Sequence, residues 1–104
     1  MNKTEIYKKL IAKFGVKNQI IVAIEELSEL QKELCKTLRG EENKPNICEE
    51  IADVEIMLEQ IKMLYDINEV VEFEKNNKLK RTNDRYLKII DIDYPIFKNK
   101  IDKF

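Results

Sequence analysis

Two segments decide the fold: NQIIVAIEELSELQKELCKTLRG (residues 18–40) and PNICEEIADVEIMLEQIKMLY (residues 45–65). In both, apolar residues recur every three or four positions, which is the period of an amphipathic α-helix. Gly40 suits the end of the first helix, and Pro45 suits the first turn of the second. Because the segment between them is short and polar, we expect these two helices to pack as antiparallel neighbours.

The rest of the chain extends this helical pattern on both sides. A helix is predicted over 4–14, with Thr4 as its N-cap and Gly15 as its end. Asp66 and Glu69 have the spacing of a capping box, which predicts another helix to about residue 87. Residues 89–104 alternate apolar and polar side chains around Pro95, so we expect an extended tail there, as an edge strand or a strap between subunits. The prediction is an all-α domain over 1–88 and an extended C-terminal tail over 89–104.

The amino-acid composition narrows the range of possible functions. The chain has 104 residues, with 19 basic and 20 acidic residues, and this balance argues against a nucleic-acid or membrane-surface binder. No stretch approaches the roughly 20 apolar residues of a membrane span, and the N-terminus has no apolar core of a signal peptide. We therefore expect a soluble, cytoplasmic protein with Cys35 and Cys48 as buried, reduced thiols. The absence of His excludes a histidine base and a His-ligated metal, so carboxylates are the first candidates for chemistry.

The predicted core comes from the apolar side of each long helix. The first helix of the pair contributes Ile20, Ala23, Ile24, Leu27, Leu30, Leu34, Cys35 and Leu38. The second contributes Ile47, Ile51, Val54, Met57, Leu58, Ile61, Leu64 and Tyr65. Glu50 and Asp53 lie on the core side of this second helix rather than on its polar back. Unpaired ionised carboxylates in that position would be costly, and a shared cation would remove the cost.

Two carboxylate pairs are therefore candidates for one metal site. Glu26 and Glu29 lie one turn apart on the first helix, and Glu50 and Asp53 lie one turn apart on the second. Counting back from the loop leaves the pairs offset by no more than about 10 Å at 1.5 Å per residue. Oxygen ligands without imidazole or thiolate suit Mg²⁺ or Mn²⁺. The alternative is that these residues are ordinary solvated glutamates and aspartates, since acidic pairs at this spacing are common on helices.

The motifs EELSE (residues 25–29) and EEIAD (residues 49–53) resemble the paired acidic signature of the all-α NTP pyrophosphohydrolases. This superfamily includes MazG, dimeric dUTPases and dCTPase-like enzymes, and the similarity extends over roughly residues 15 to 88. The resemblance implies a four-to-five-helix MazG-like bundle, assembled as a dimer or a dimer of dimers. It also implies catalytic metal ligands at Glu26, Glu29, Glu50 and Asp53, and hydrolysis of a nucleoside triphosphate to the monophosphate and pyrophosphate.

Basic residues gather further along the chain, where KLKR (residues 78–81) and RY (residues 85–86) resemble the phosphate-side segment of that family. Lys78, Arg81 and Arg85 are the candidates for binding substrate phosphates, and Arg81 and Arg85 are one turn apart. A solvated basic helix face is the alternative interpretation.

The sequence thus predicts a Mg²⁺-dependent nucleoside triphosphate pyrophosphohydrolase, with Mn²⁺ as a substitute ion and a homodimer or homotetramer as the assembly. The rival is a non-catalytic helical module that binds a nucleotide or a protein with the same fold. Neither reading identifies the base or sugar of the nucleotide.

Overall fold

The computed structural model describes residues 2–87, and every regular element among them is helical. The α-helices are α1 (Lys3–Phe14), α2 (Val16–Leu38), α3 (Lys44–Leu64) and α4 (Asn68–Thr82), and a π-helical turn (Asn83–Leu87) follows α4. No strand occurs within 2–87, so the all-α prediction is confirmed for this part of the chain. The predicted extended tail at 89–104 lies outside the described residues.

Short-range chemistry explains where the first helices begin and end. The Asn2 side chain caps α1 by accepting a hydrogen bond of 2.9 Å from the Glu5 N–H, so α1 begins before the predicted Thr4 cap. Gly15 and Gly40 both have φ of 88°, a left-handed conformation that glycine adopts without strain. Gly15 ends α1 and separates it from α2, and Gly40 follows the end of α2.

The capping box predicted at Asp66 and Glu69 is wrong. Asp66 has φ of 52° and lies just after α3 rather than at the start of α4. Its N–H donates to Met63 O at 3.2 Å, and the Ile67 N–H donates to Lys62 O at 3.0 Å. This hydrogen-bond pair is the Schellman motif, so Asp66 occupies the position usually held by glycine at a helix end.

The chain divides into two units, with the boundary between Ile67 and Asn68. In the first unit, α2 and α3 form an antiparallel hairpin joined by a short loop, and α1 is attached to it. The second unit contains α4 and the π-helical turn, and none of its described residues is buried. Among residues 2–87, no helix has both the length and the apolar character needed to cross a membrane.

The contact between α2 and α3 is more polar than the sequence predicted. Its buried residues include Ala23, Val54 and Met57, but also the polar residues Gln19, Glu33, Asn43 and Gln60. Several residues predicted for the core are exposed instead: Ile24, Leu27, Leu34, Leu38, Ile51, Leu58 and Tyr65.

The correction has a physical reason. Facing side chains across the seam form hydrogen bonds, so a polar strip of α2 turns toward α3 and the apolar strip lies beside it. Cys35 and Cys48 are unpaired, as expected, but both are exposed rather than buried. At about 100° per residue, Cys35 lies on the side of α2 opposite the buried Gln19 and Ala23, which explains its exposure.

Candidate metal centre

The α2–α3 hairpin brings three carboxylates together from the two helices. Glu26 lies on α2, and Glu50 and Asp53 lie one turn apart on α3. Each offers a carboxylate oxygen, and these three oxygens all lie within 4.8 Å of one another. We call these three residues the acidic group. Their convergence follows from the antiparallel packing of two long helices across a short loop.

Glu26 is half-buried within this group, and its environment favours the protonated form. Burial raises the pKa of Glu26, and the charge of Asp53 and a hydrogen bond with Asp53 raise it further. The charges of Glu50 and Glu29 act in the same direction. Burial is therefore the largest cause of the raised pKa, and the crowding of like charges adds to it.

Glu50 shows the same effect and one further feature. The pKa of Glu50 is also raised. Burial is the largest cause, and the charges of Asp53 and Glu29 raise the pKa further. Its Oε2 atom is buried and has no hydrogen-bond partner. A buried carboxylate oxygen without a donor costs free energy, and a cation would supply the missing partner. The residues present therefore fit a hard divalent cation, which prefers carboxylate oxygens.

Glu29, the fourth predicted ligand, lies outside the acidic group. It is exposed on α2, and its carboxylate is not among the oxygens that meet within 4.8 Å. Its charge nevertheless contributes to the raised pKa values of Glu26 and Glu50, so it lies near them. The structure thus brings together three of the four predicted carboxylates and leaves Glu29 at the edge.

Glu33 belongs to the surroundings of the acidic group, and the sequence reasoning missed it. It is buried, its Oε2 accepts a hydrogen bond of 2.7 Å from Asn43 Nδ2, and its Oε1 lies 3.2 Å from Lys36 Nζ. The Asn43 hydrogen bond is the main reason why the pKa of Glu33 is lowered. Its charge in turn helps to raise the pKa of Glu50. The available signal was its spacing, because Glu33 lies seven residues after Glu26 and hence on the same helix face.

The predicted phosphate-binding residues lie in the second unit. Lys78, Arg81 and Arg85 share one side of the helix and line a cavity of about 300 Å³ together with Thr82 and Tyr86. The Arg85 guanidinium lies 6.0 Å from the centre of the Tyr86 ring. The Thr82 hydroxyl donates to Lys78 O at 2.8 Å, so the three cations and the aromatic ring are what make this surface suitable for an anion that carries a planar group.

In comparisons with protein-family models, curated proteins and solved structures, no match to this chain was found. The MazG-like resemblance is therefore carried by the two acidic motifs and their apolar surroundings, and this family assignment stays a prediction.

Proposed function

We propose that this protein is a Mg²⁺-dependent nucleoside triphosphate pyrophosphohydrolase, acting on the cytoplasmic nucleotide pool. The observation that carries the proposal is the acidic group, in which oxygens of Glu26, Glu50 and Asp53 converge within 4.8 Å. The buried, unpartnered Oε2 of Glu50 adds support, because a cation would satisfy it.

The donor set favours a hard ion. Glu26, Glu50 and Asp53 would hold Mg²⁺ or Mn²⁺ through carboxylate oxygens, and Glu29 lies close enough for its charge to act on the same site. When bound, Mg²⁺ would neutralise triphosphate charge and lower the pKa of water. A water molecule would attack the α-phosphorus, the bond to the bridging α–β oxygen would break, and pyrophosphate would leave. We assign the proton of that water to a carboxylate of the Glu26–Glu29 pair, because the chain has no His to accept it.

The second unit is our proposal for phosphate binding. Lys78, Arg81 and Arg85 present positive charge along one helix side, and guanidinium groups bind phosphate oxygens in pairs. Support comes from the second unit taken by itself: these three cations line one cavity together with an aromatic ring.

We also propose that two copies of the chain associate through one apolar face. At about 100° per residue, the exposed apolar residues of α2 and of α3 fall on the same side of the hairpin. That face contains Ile24, Leu27, Leu34, Leu38, Ile51, Leu58 and Tyr65, each at least 40% exposed. A contiguous apolar surface of this kind is typical of a subunit interface. On the helix wheel the acidic group faces the α2–α3 seam rather than this apolar face, so association through the apolar face would not require the carboxylates to contact the partner.

Pyrophosphate release from a panel of NTPs and dNTPs, with and without Mg²⁺, tests the proposal. We expect release that depends on Mg²⁺ and is strongest for one nucleotide or a few related ones. Nucleotide binding without release for every member of the panel would reject the enzyme and favour the rival, a non-catalytic nucleotide-binding module. Release that is unchanged in excess EDTA would reject the metal site.

A further inference from the structure

Buried polar residues form hydrogen bonds across the α2–α3 seam at two places. Gln19 Nε2 donates a hydrogen bond of 2.8 Å to Gln60 Oε1, and these side chains are only 6% and 1% exposed. At the other end of the seam, Asn43 Nδ2 donates to Glu33 Oε2 at 2.7 Å, and both residues are 7% exposed. The acidic group lies between these two contacts.

The spacing of the contacts matches the acidic group residue by residue. Glu26 lies seven residues from Gln19 on one side and seven residues from Glu33 on the other. On α3, Asp53 lies seven residues before Gln60, and Glu50 lies seven residues after Asn43. Seven residues are about two helical turns, or roughly 10.5 Å. Each buried contact is therefore on the same helix face as the carboxylates and about equally far from them.

The Asn43 side chain forms hydrogen bonds with α2 rather than with its own helix, α3. Asn43 is the N-cap residue of α3, yet its side chain makes no capping hydrogen bond there. Its Nδ2 donates to the Glu33 main-chain oxygen at 2.8 Å and to the Glu33 carboxylate, and its Oδ1 accepts from Thr37 Oγ1 at 2.9 Å. Asparagine at an N-cap usually stabilises its own helix, but the Asn43 side chain instead makes hydrogen bonds across the hairpin.

Buried polar pairs add little net stability but restrict which residues can face each other. Replacing both partners of a buried hydrogen bond with apolar groups of similar shape is close to neutral or stabilising. A slip along the helices would leave these buried polar atoms without partners, at a cost that apolar residues would not impose.

We propose that Asn43 and the Gln19–Gln60 pair are positioning residues that fix the register of α2 against α3, and so hold Glu26 opposite Glu50 and Asp53. This inference rests on the proposed metal site for its functional meaning, but the register itself can be measured without a metal. These residues would act through the helices, since they lie about two turns from the acidic group and would not contact a cation bound there.

The test is a double variant, Gln19→Leu with Gln60→Leu, which keeps the side chains near their original volume. We expect unfolding stability equal to or above that of the wild type, together with Mn²⁺ affinity weakened by about tenfold or more. A purely structural role predicts that stability and affinity change together. The matched control is Gln31→Leu, which makes the same substitution at an exposed position of α2 and should leave the Mn²⁺ affinity unchanged.

A second measurement reports the register directly. Cys35 on α2 and Cys48 on α3 are free and exposed, so both can carry spin labels in the otherwise native chain. Labelled protein, diluted into unlabelled protein and without metal, should give a shifted or broadened label distance in the double variant and in Asn43→Ala. An unchanged distance in these variants would overturn the inference, whatever their Mn²⁺ affinity. If the wild type binds no Mn²⁺ but the distance responds as expected, the proposed function fails and the register inference stands.

Discussion

The Tyr7 hydroxyl on α1 donates a hydrogen bond to Glu59 Oε2 on α3, joining residues 52 positions apart. Lys3 Nζ lies 3.6 Å from the other oxygen of the same carboxylate. The hydrogen bond to Glu59 is the main cause that raises the pKa of Tyr7 to about 12, and it lowers the pKa of Glu59. One phenol and one carboxylate therefore fasten the N-terminal helix to the hairpin.

Tyr7→Phe should remove that contact while keeping the ring in place. We expect a loss of about 1 kcal/mol of unfolding free energy, less than is usual for a hydrogen bond to a charged group, because Glu59 is partly exposed. Urea unfolding measures it, and Tyr65→Phe, at an exposed position, is the control. A loss in the control equal to that in Tyr7→Phe would contradict the assignment.

The same contact gives a pH dependence with a defined sign. The folded pKa of Glu59 lies below its usual 4.5, so its contribution is present above 4.5 and is lost as pH falls through the lowered value. The folded pKa of Tyr7 lies above its usual 10.0, so its contribution is present below 10.0 and is lost as pH rises toward about 12. The stability difference between wild type and Tyr7→Phe should shrink at both extremes.

Glu50→Gln should separate stability from function at the acidic group. It removes one charge from the crowded carboxylates, so the metal-free variant should be at least as stable as the wild type. We expect Mg²⁺ to raise the melting temperature of the wild type but not of the variant, and hydrolysis to fall by more than about 100-fold. Glu55→Gln, an exposed residue of α3, is the control and should behave as the wild type does. Full activity in Glu50→Gln would remove Glu50 from the site.

Without metal, the acidic group should make the protein more stable as the solution becomes mildly acidic. The folded pKa values of Glu26 and Glu50 lie above their usual 4.5. Protonation therefore favours the folded state, and stability should rise as pH falls through the raised values toward 4.5. Unfolding in EDTA at a series of pH values measures this, and Glu26→Gln should flatten the rise. A wild-type stability that only declines over this interval would argue against the crowded site.

Arg81→Ala and Arg85→Ala test the basic cavity of the second unit. Each should weaken substrate binding or turnover by about tenfold or more, since a phosphate would lose a charge-assisted hydrogen bond. Both side chains are exposed, so the melting temperature should hardly change. Lys80→Ala is the matched control, because Lys80 lies on the same helix but does not line the cavity. Unchanged kinetics in both arginine variants would favour the alternative, that these residues form an ordinary solvated basic face.

Placing a lysine on the apolar face of the hairpin tests whether that face is the subunit interface. Leu27→Lys and Leu58→Lys should each shift a dimer toward monomer in sedimentation velocity, while the helical content stays the same. Ile56→Lys is the control, because Ile56 is equally exposed but falls on a different side of α3. A wild-type protein that sediments as a monomer at micromolar concentration would contradict the proposed assembly.

The sequence was sufficient to predict the helices and the convergence of three of the four candidate carboxylates. Gly15 and Gly40 lie at helix ends and Pro45 lies in the first turn of α3, as local chemistry predicts, and the hairpin of α2 and α3 brings Glu26 close to Glu50. Asp66 misled the prediction because an acidic side chain suits both an N-cap and a left-handed helix end.

The sequence was not sufficient to predict which side of each helix faces the other. Hydrophobic periodicity identifies an apolar strip but does not say whether that strip meets the same chain or another one. Gln19 and Gln60 can be buried because each satisfies the other's hydrogen bond. A buried amide pair 41 positions apart leaves no periodic pattern in the sequence. Glu33 was missed for the same reason, because its partner Asn43 lies in a segment that reads as a loop.

The short connection from Arg39 to Asn43 also has a consequence for the order of folding. Closing so short a loop costs little chain entropy, so the α2–α3 hairpin should form early, before contacts that are distant in sequence. The repulsion among Glu26, Glu50 and Asp53 would then already be present in the transition state. A divalent cation that relieves it would accelerate folding more than it slows unfolding, so that the metal would help the chain reach its native state as well as work in it.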